Sequence, residues 1–201
     1  MSKRVYISAD YSKNNGDCEV VETLNRWGKD NLHITDFVDT AKVVSGSVSD
    51  NPDCRICELK EEFNSQINIS SAVIFVIGDK TSNRLAGSGC NRMQEKLCYC
   101  TPYKQNRNGL ALCKVSSVYI PGPDENVGNI NSYSYIRHEF EQARKKNKTI
   151  IVVYNSMRKE AKWLPVYMKE YERVAFPFWT LNSDGKRIGN YFEIKKALGY
   201  M

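Results

Sequence analysis

Glu139 stands at the start of an amphipathic helical pattern, four residues after Tyr135, and it is the carboxylate best placed in this sequence to do chemistry. Side chains four apart share one helix face. Tyr135 would therefore wall a pocket into which Glu139 projects. A carboxylate held there can steady positive charge on a sugar, beside the anomeric carbon or by gripping the hydroxyls, as in glycoside cleavage. Around it the sequence supplies groups suited to a sugar or a phosphate. Ser8 and Tyr11 close the first strand-like run, Thr81 follows the Gly78 turn, and Asn155 ends a later strand. Asp10 stands among them, although a carboxylate repels a diphosphate. Lys80 and Arg84 could meet phosphates.

Each of these residues has a plainer reading. A glutamate in the first turn of a helix complements the dipole without catalysis. Ser8 and Tyr11 could serve strand-end hydrogen bonds, Asn155 a turn, and Lys80 and Arg84 only solvent. His138 neighbours Glu139 but points from another helix face, so it is not read as a base. His33, inside an apolar strand, reads as a core or edge residue. There is no G-x-G-x-x-G turn, phosphate loop, H-E-x-x-H or nucleophile elbow. Redox use of a dinucleotide through a glycine-rich turn is thus disfavoured.

The seven cysteines are Cys18, Cys54, Cys57, Cys90, Cys98, Cys100 and Cys113. Cys54 and Cys57 share a helix face. The group from Cys90 to Cys113 could offer four thiolates but lacks the paired knuckles of common zinc sites. Reduced, unliganded thiols are the expectation, and no metal is expected.

The elements that must position these groups alternate strand and helix. Lys3 to Ser8 (KRVYIS) is a β-rich run. Cys18 to Trp27 sets Val20, Val21, Leu24 and Trp27 at helical spacing, with Gly28 as a stop. Leu32 to Val38 reads as a second strand, followed by a polar stretch from Asp39 to Pro52. Ile56, Leu59, Phe63 and Ile67 form one helical stripe. Ala72 to Ile77 (AVIFVI) is a continuous apolar run, as in a strand buried on both faces. Residues 79–134 lose periodicity and are too long for an ordinary connection. They read as an insertion after the third strand, with a short strand at Lys114 to Ile120. Tyr135 to Lys146 is then a helix, Thr149 to Tyr154 a buried strand and Met157 to Tyr171 an amphipathic helix. Arg173 to Trp179 is a last strand, and Tyr191 to Leu198 a terminal helix. This pattern predicts one α/β domain over residues 1–201: a flavodoxin-like parallel sheet of about five strands, order 2-1-3-4-5, flanked by helices. Ligands in such sheets bind beyond the carboxyl ends of the strands, where strand order reverses.

Composition sets outer limits. The chain has 201 residues, 41% hydrophobic and 26% charged, which suits a folded domain. Its formal charge of +6 favours anionic partners. The densest cationic cluster, Arg144, Lys145, Lys146 and Lys148, ends a helix and complements its dipole, so nucleic acid is not the expected partner. No run reaches the length a membrane span needs. The opening MSKRVYISAD shows no signal-peptide core, which leads to the expectation of a cytoplasmic protein.

Three segments together carry a resemblance. They are KRVYISADY at the start, Ser71-Ala-Val-Ile-Phe-Val-Ile-Gly-Asp-Lys-Thr81, and Tyr135-Ile-Arg-His-Glu139-Phe followed by Ala143 and Lys148-Thr-Ile-Ile-Val-Val-Tyr-Asn155. They resemble the TIR-like family, nearest to the TIR-like proteins of Thoeris antiphage defence systems. The likeness covers residues 3–81 and 135–155. Two features depart from the family: Tyr135 replaces the usual tryptophan, and the insertion lengthens a connection that often has only about a dozen residues.

The resemblance implies a TIR-like sheet and consumption of NAD as substrate, with no resident cofactor. The enzyme would be an NAD glycohydrolase or ADP-ribosyl cyclase-like protein that cleaves the nicotinamide–ribose bond. Its product, cyclic or conjugated, would activate a downstream effector after a phage-derived trigger. Glu139 would be catalytic, with Ser8, Asp10, Tyr11, Thr81, Tyr135 and Asn155 around the substrate. Two other readings stay open. One is a non-catalytic TIR-like scaffold or ligand sensor that assembles with itself or other TIR domains. The other is a nucleoside N-glycoside transferase.

Overall fold

The computed structural model describes residues 3–10, 16–29, 35–39, 52–83, 103–105, 111–113 and 134–200. Five strands form an all-parallel central sheet: β1 (Lys3–Ser8), β2 (Thr35–Asp39), β3 (Ala72–Ile77), β6 (Thr149–Tyr154) and β7 (Phe176–Pro177), in the order β2-β1-β3-β6-β7. This is the flavodoxin-like order expected from the alternating pattern. Among the described residues two short antiparallel pairs complete the strands: β4 (Tyr103–Gln105) with β5 (Ala111–Cys113), and the hairpin of β8 (Trp179–Leu181) with β9 (Arg187–Gly189). The first pair and a 3-10 turn at Thr81–Asn83 fall within the expected insertion. Residues 84–102, 106–110 and 114–133 of that insertion, including the strand expected at Lys114 to Ile120, lie outside the described residues, as does His33.

β3 and β6 are apolar runs because helices cover both their faces, and every residue of β3 is buried. Side chains alternate across the sheet. One face packs Val5, Ile7, Ile74 and Val153 against Val20, Val21 and Leu24 of α1 (Asp17–Trp27) and Ile194 of α4 (Tyr191–Ala197). The other packs Tyr6, Val73, Phe75 and Val152 against Leu59, Phe63 and Ile67 of α2 (Pro52–Ile69) and Ile136, Phe140 and Ala143 of α3 (Tyr135–Lys145). The apolar stripes that predict these helices are the surfaces that hold them to the sheet.

Two expected elements differ. Met157 to Tyr171 forms no α-helix but 3-10 turns at Ala161–Trp163 and Val166–Tyr171. Pro165 lies between them, and Leu164 before it is extended, with φ −72° and ψ 121°. A proline drives its predecessor out of helical geometry and cannot donate to the preceding turn. Arg173 to Trp179 is likewise not one strand. The backbone pairs with β6 only at Phe176–Pro177, then turns at Phe178 into the antiparallel hairpin.

Candidate functional site

The order β2-β1-β3 reverses direction at β1, so the crevice at the carboxyl ends of β1 and β3 is where this fold places ligands. α3 begins above that edge. Ser134 caps it, its hydroxyl accepting from the Arg137 N–H at 3.1 Å. Glu139 is the fifth residue of the helix and not in its first turn. The dipole reading of its position therefore loses force, because that effect fades within the first turn.

Glu139 instead turns into the sheet. It is buried, 2% exposed, and both its oxygens are engaged from β1. The Tyr6 hydroxyl donates to Oε1 at 2.6 Å, and the Ser8 hydroxyl donates to Oε2. Tyr6 and Ser8 are two apart on one strand and so face the same side. Hydroxyl donors to a carboxylate make charge-assisted hydrogen bonds, stronger than neutral ones. The result is a carboxylate fixed in orientation by two fully buried hydroxyls at the carboxyl end of the first strand. Such a group can stabilise positive charge or accept from a hydroxyl, provided substrate reaches it.

Tyr135 is half-buried and packs edge-on against Phe63, ring centroids 5.6 Å apart. His138 is buried and pairs with Asn64 at 2.9 Å, which settles it as a link between α3 and α2. Tyr167 lies beside the cap of α3, its hydroxyl 3.5 Å from that of Ser134. Burial pushes the Tyr167 phenol up to about 12, outweighing the lowering effect of the Ser134 hydrogen bond and of Arg137 nearby.

Two of the other expected residues, Asp10 and Asn155, gather on the opposite sheet face. Asn155 follows β6, and its side-chain amide donates to Oδ1 of Asp17, the first residue of α1. Asp17 is fully buried. Burial raises its carboxyl from 3.8 to about 7; the Asn155 hydrogen bond opposes this, and the charges of Asp10 and Asp79 add to it. The Asp10 backbone also hydrogen-bonds Asp17, so Asp10 belongs to this cluster and not to the Glu139 one. Gly16 and Gly78 make room for it. Gly16 has φ +80°, and a Cβ on Gly78 would stand 2.8 Å from Asn155 Nδ2 and 2.9 Å from Asp17 Oδ1. Thr81 clasps the Gly78 turn, its hydroxyl accepting from the Gly78 N–H at 2.9 Å. Lys80 is exposed. Tyr11 and Arg84 lie outside the described residues.

Thus Glu139 and Ser8 come together, whereas Asp10 and Asn155 meet Asp17. Sequence reasoning missed Tyr6 and Asp17. The signal for Tyr6 was present: a tyrosine inside a buried strand needs a partner for its hydroxyl, and Tyr6 shares a face with Ser8. Cys18 is half-buried and free, while the side chains of the other six cysteines fall outside the described ones. Among the described residues no group of three or more His, Cys, Asp or Glu could hold a metal ion, and no helix is long and apolar enough to cross a membrane.

No protein-family model, curated protein or solved structure matches the chain.

Proposed function

We propose that the chain is a TIR-like enzyme that cleaves the nicotinamide–ribose bond of NAD, with Glu139 as its catalytic carboxylate. The observation that carries this reading is the fixed Glu139 carboxylate at the carboxyl edge of a reversing parallel sheet, held by Tyr6 and Ser8. In the reaction the C1′–N bond breaks and its electron pair leaves with nicotinamide, which departs neutral. The ribosyl cation that develops is the charge Glu139 stabilises. Water or a hydroxyl or amine nucleophile then bonds to C1′ and loses a proton. The resemblance of the three sequence segments supports NAD as the substrate. It also supports the wider role: an ADP-ribose-derived signal, cyclic or conjugated, made in the cytoplasm on a phage-derived trigger and read by a downstream effector.

The 2% exposure of Glu139 favours a second reading, in which the same hydrogen bonds merely tie α3 to β1 in a non-catalytic scaffold. Nicotinamide release from NAD separates the two, measured with purified protein and in phage-infected cells. Glu139→Gln should lower release at least about 100-fold, the scale of a removed electrostatic stabiliser. Equal rates in wild type and Glu139→Gln, or no release by the wild type in either setting, would favour the scaffold. Release from a nucleoside but not from NAD would favour the N-glycoside transferase.

A further inference from the structure

On the sheet face opposite Glu139, α1, the β8–β9 hairpin and the start of α4 line an open cleft of about 770 Å³. Its size falls within the range of small-molecule sites, about 300–1,000 Å³. α1 lines it with the stripe Glu19, Glu22, Thr23 and Arg26, spaced to fall on one helix face. The hairpin contributes Arg187 from the other wall.

Both guanidiniums are oriented before any ligand arrives. Arg26 donates to the Thr23 hydroxyl at 3.2 Å, and Thr23 is buried. The Arg187 guanidinium lies 4.3 Å over the Trp179 ring and pairs with Glu19 while both stay half-exposed. Planar guanidiniums match the oxygens of phosphate, and they also stack on flat rings. Between them runs an aromatic floor. Trp27 and Tyr191 are half-buried and meet edge-on, centroids 4.9 Å apart. The Gly189 backbone packs directly on the Trp27 ring, where a Cβ would stand only 2.6 Å away, and Phe178 stacks on the same ring with centroids 5.4 Å apart, so Trp27 is held in place as the support for Tyr191. Glu22 is exposed on the α1 wall and accepts hydrogen bonds.

We propose that this cleft binds a nucleoside monophosphate. Its phosphate replaces Glu19 on Arg187 and meets Arg26, its base lies against Tyr191, and its ribose hydroxyls face Glu22. The site goes beyond the NAD-cleaving reading and does not depend on it, since none of its residues contributes to the Glu139 cluster.

The test is calorimetric titration of the intact protein at low salt with AMP, adenosine and inorganic phosphate in turn. AMP should bind saturably with a dissociation constant below about 1 mM. Adenosine and phosphate should each bind at least about tenfold more weakly, having lost one set of contacts. Arg26→Ala removes an exposed side chain and leaves the core intact; it and Arg187→Ala should each weaken AMP about tenfold or more. Glu139→Gln should leave AMP affinity unchanged. The proposal is overturned by absence of saturable AMP binding, by equal affinity in the Arg26→Ala variant, by phosphate or adenosine binding as well as AMP, or by loss of binding in Glu139→Gln.

Discussion

Among the carboxylates buried at the carboxyl edge of the sheet, Glu139 and Asp17 lie on opposite faces, and their surroundings are opposite. Glu139 receives hydroxyl donors on both oxygens, from Tyr6 and Ser8. Asp17 receives the Asn155 amide, yet sits near the charges of Asp10 and Asp79, and burial raises its carboxyl to about 7. The first environment compensates a buried charge with aimed dipoles. The second compensates less than burial and like charge oppose, so its carboxyl holds a proton toward neutral pH. Carboxylates on one edge thus acquire different roles from environment alone. A fixed acceptor suits the stabilisation of a sugar cation, whereas a group that titrates near neutrality joins the start of α1 to the end of β6 in a pH-dependent way.

The sharpest way to break this contrast is to strip Glu139 of its donors. Tyr6→Phe with Ser8→Ala removes two hydrogen bonds to a buried carboxylate, at about 1.5–3 kcal/mol for each bond to a charged group. Urea unfolding should show a loss of about 4 kcal/mol. Adding Glu139→Gln should recover part of it, because a neutral amide is less costly to bury undonated. If the triple variant is no more stable than the double, the hydroxyls are not compensating a charge, and the two carboxylates are more alike than described.

Asp17 gives the next largest effect, and its sign is opposite to that of a carboxylate whose folded pKa is lowered by a cationic partner. Its carboxyl stands at 3.8 when unfolded and about 7 when folded. Between those values the folded chain keeps a proton that the unfolded chain has released. This contribution to stability is complete below the lower value and is lost as pH rises through the upper one, with a slope of at most about 1.4 kcal/mol per pH unit. Asp17→Asn imitates the protonated form. The stability difference between Asp17→Asn and wild type should therefore move in favour of the variant as pH rises from about 4 to about 7. A difference that stays flat across that window would mean Asp17 titrates as an exposed aspartate.

How far such contrasts can be read from sequence depends on the range of the forces involved. AVIFVI and TIIVVY announce strands buried on both faces, and the helical stripes at Val20–Leu24 and Leu59–Ile67 announce what covers them, because the pattern is local. The meeting of Ser8 with Glu139 follows from placing strand ends and helix starts on one edge. Asp17 was hidden, since an aspartate opening a helix looks like a dipole partner, and its burial depends on Asn155, 138 residues away in the chain. Asp10 and Asn155, grouped with Glu139 by their strand-end positions, meet Asp17 for the same reason: an edge has two sides, and position along a strand end does not select one. Pro165 was a local signal that outweighed the helical spacing from Met157 to Tyr171.

The smallest expected effect tests whether the Glu139 region is rigid as a unit. Ser134 caps α3 by accepting from the Arg137 N–H, and its hydroxyl lies 3.5 Å from that of Tyr167. Ser134→Ala removes the cap and should cost about 1 kcal/mol in thermal or urea unfolding. The long contact to Tyr167 adds little at that distance. Glu139 lies one turn further along and is gripped from β1, so fraying at the cap should stop before it reaches the carboxylate. Amide exchange in α3 should accelerate at residues 136–138 and remain slow from Phe140 onward. If the whole helix exchanged faster, Tyr6 and Ser8 would not be anchoring α3. The fixed orientation that distinguishes Glu139 from Asp17 would then belong to the cap instead of the strand.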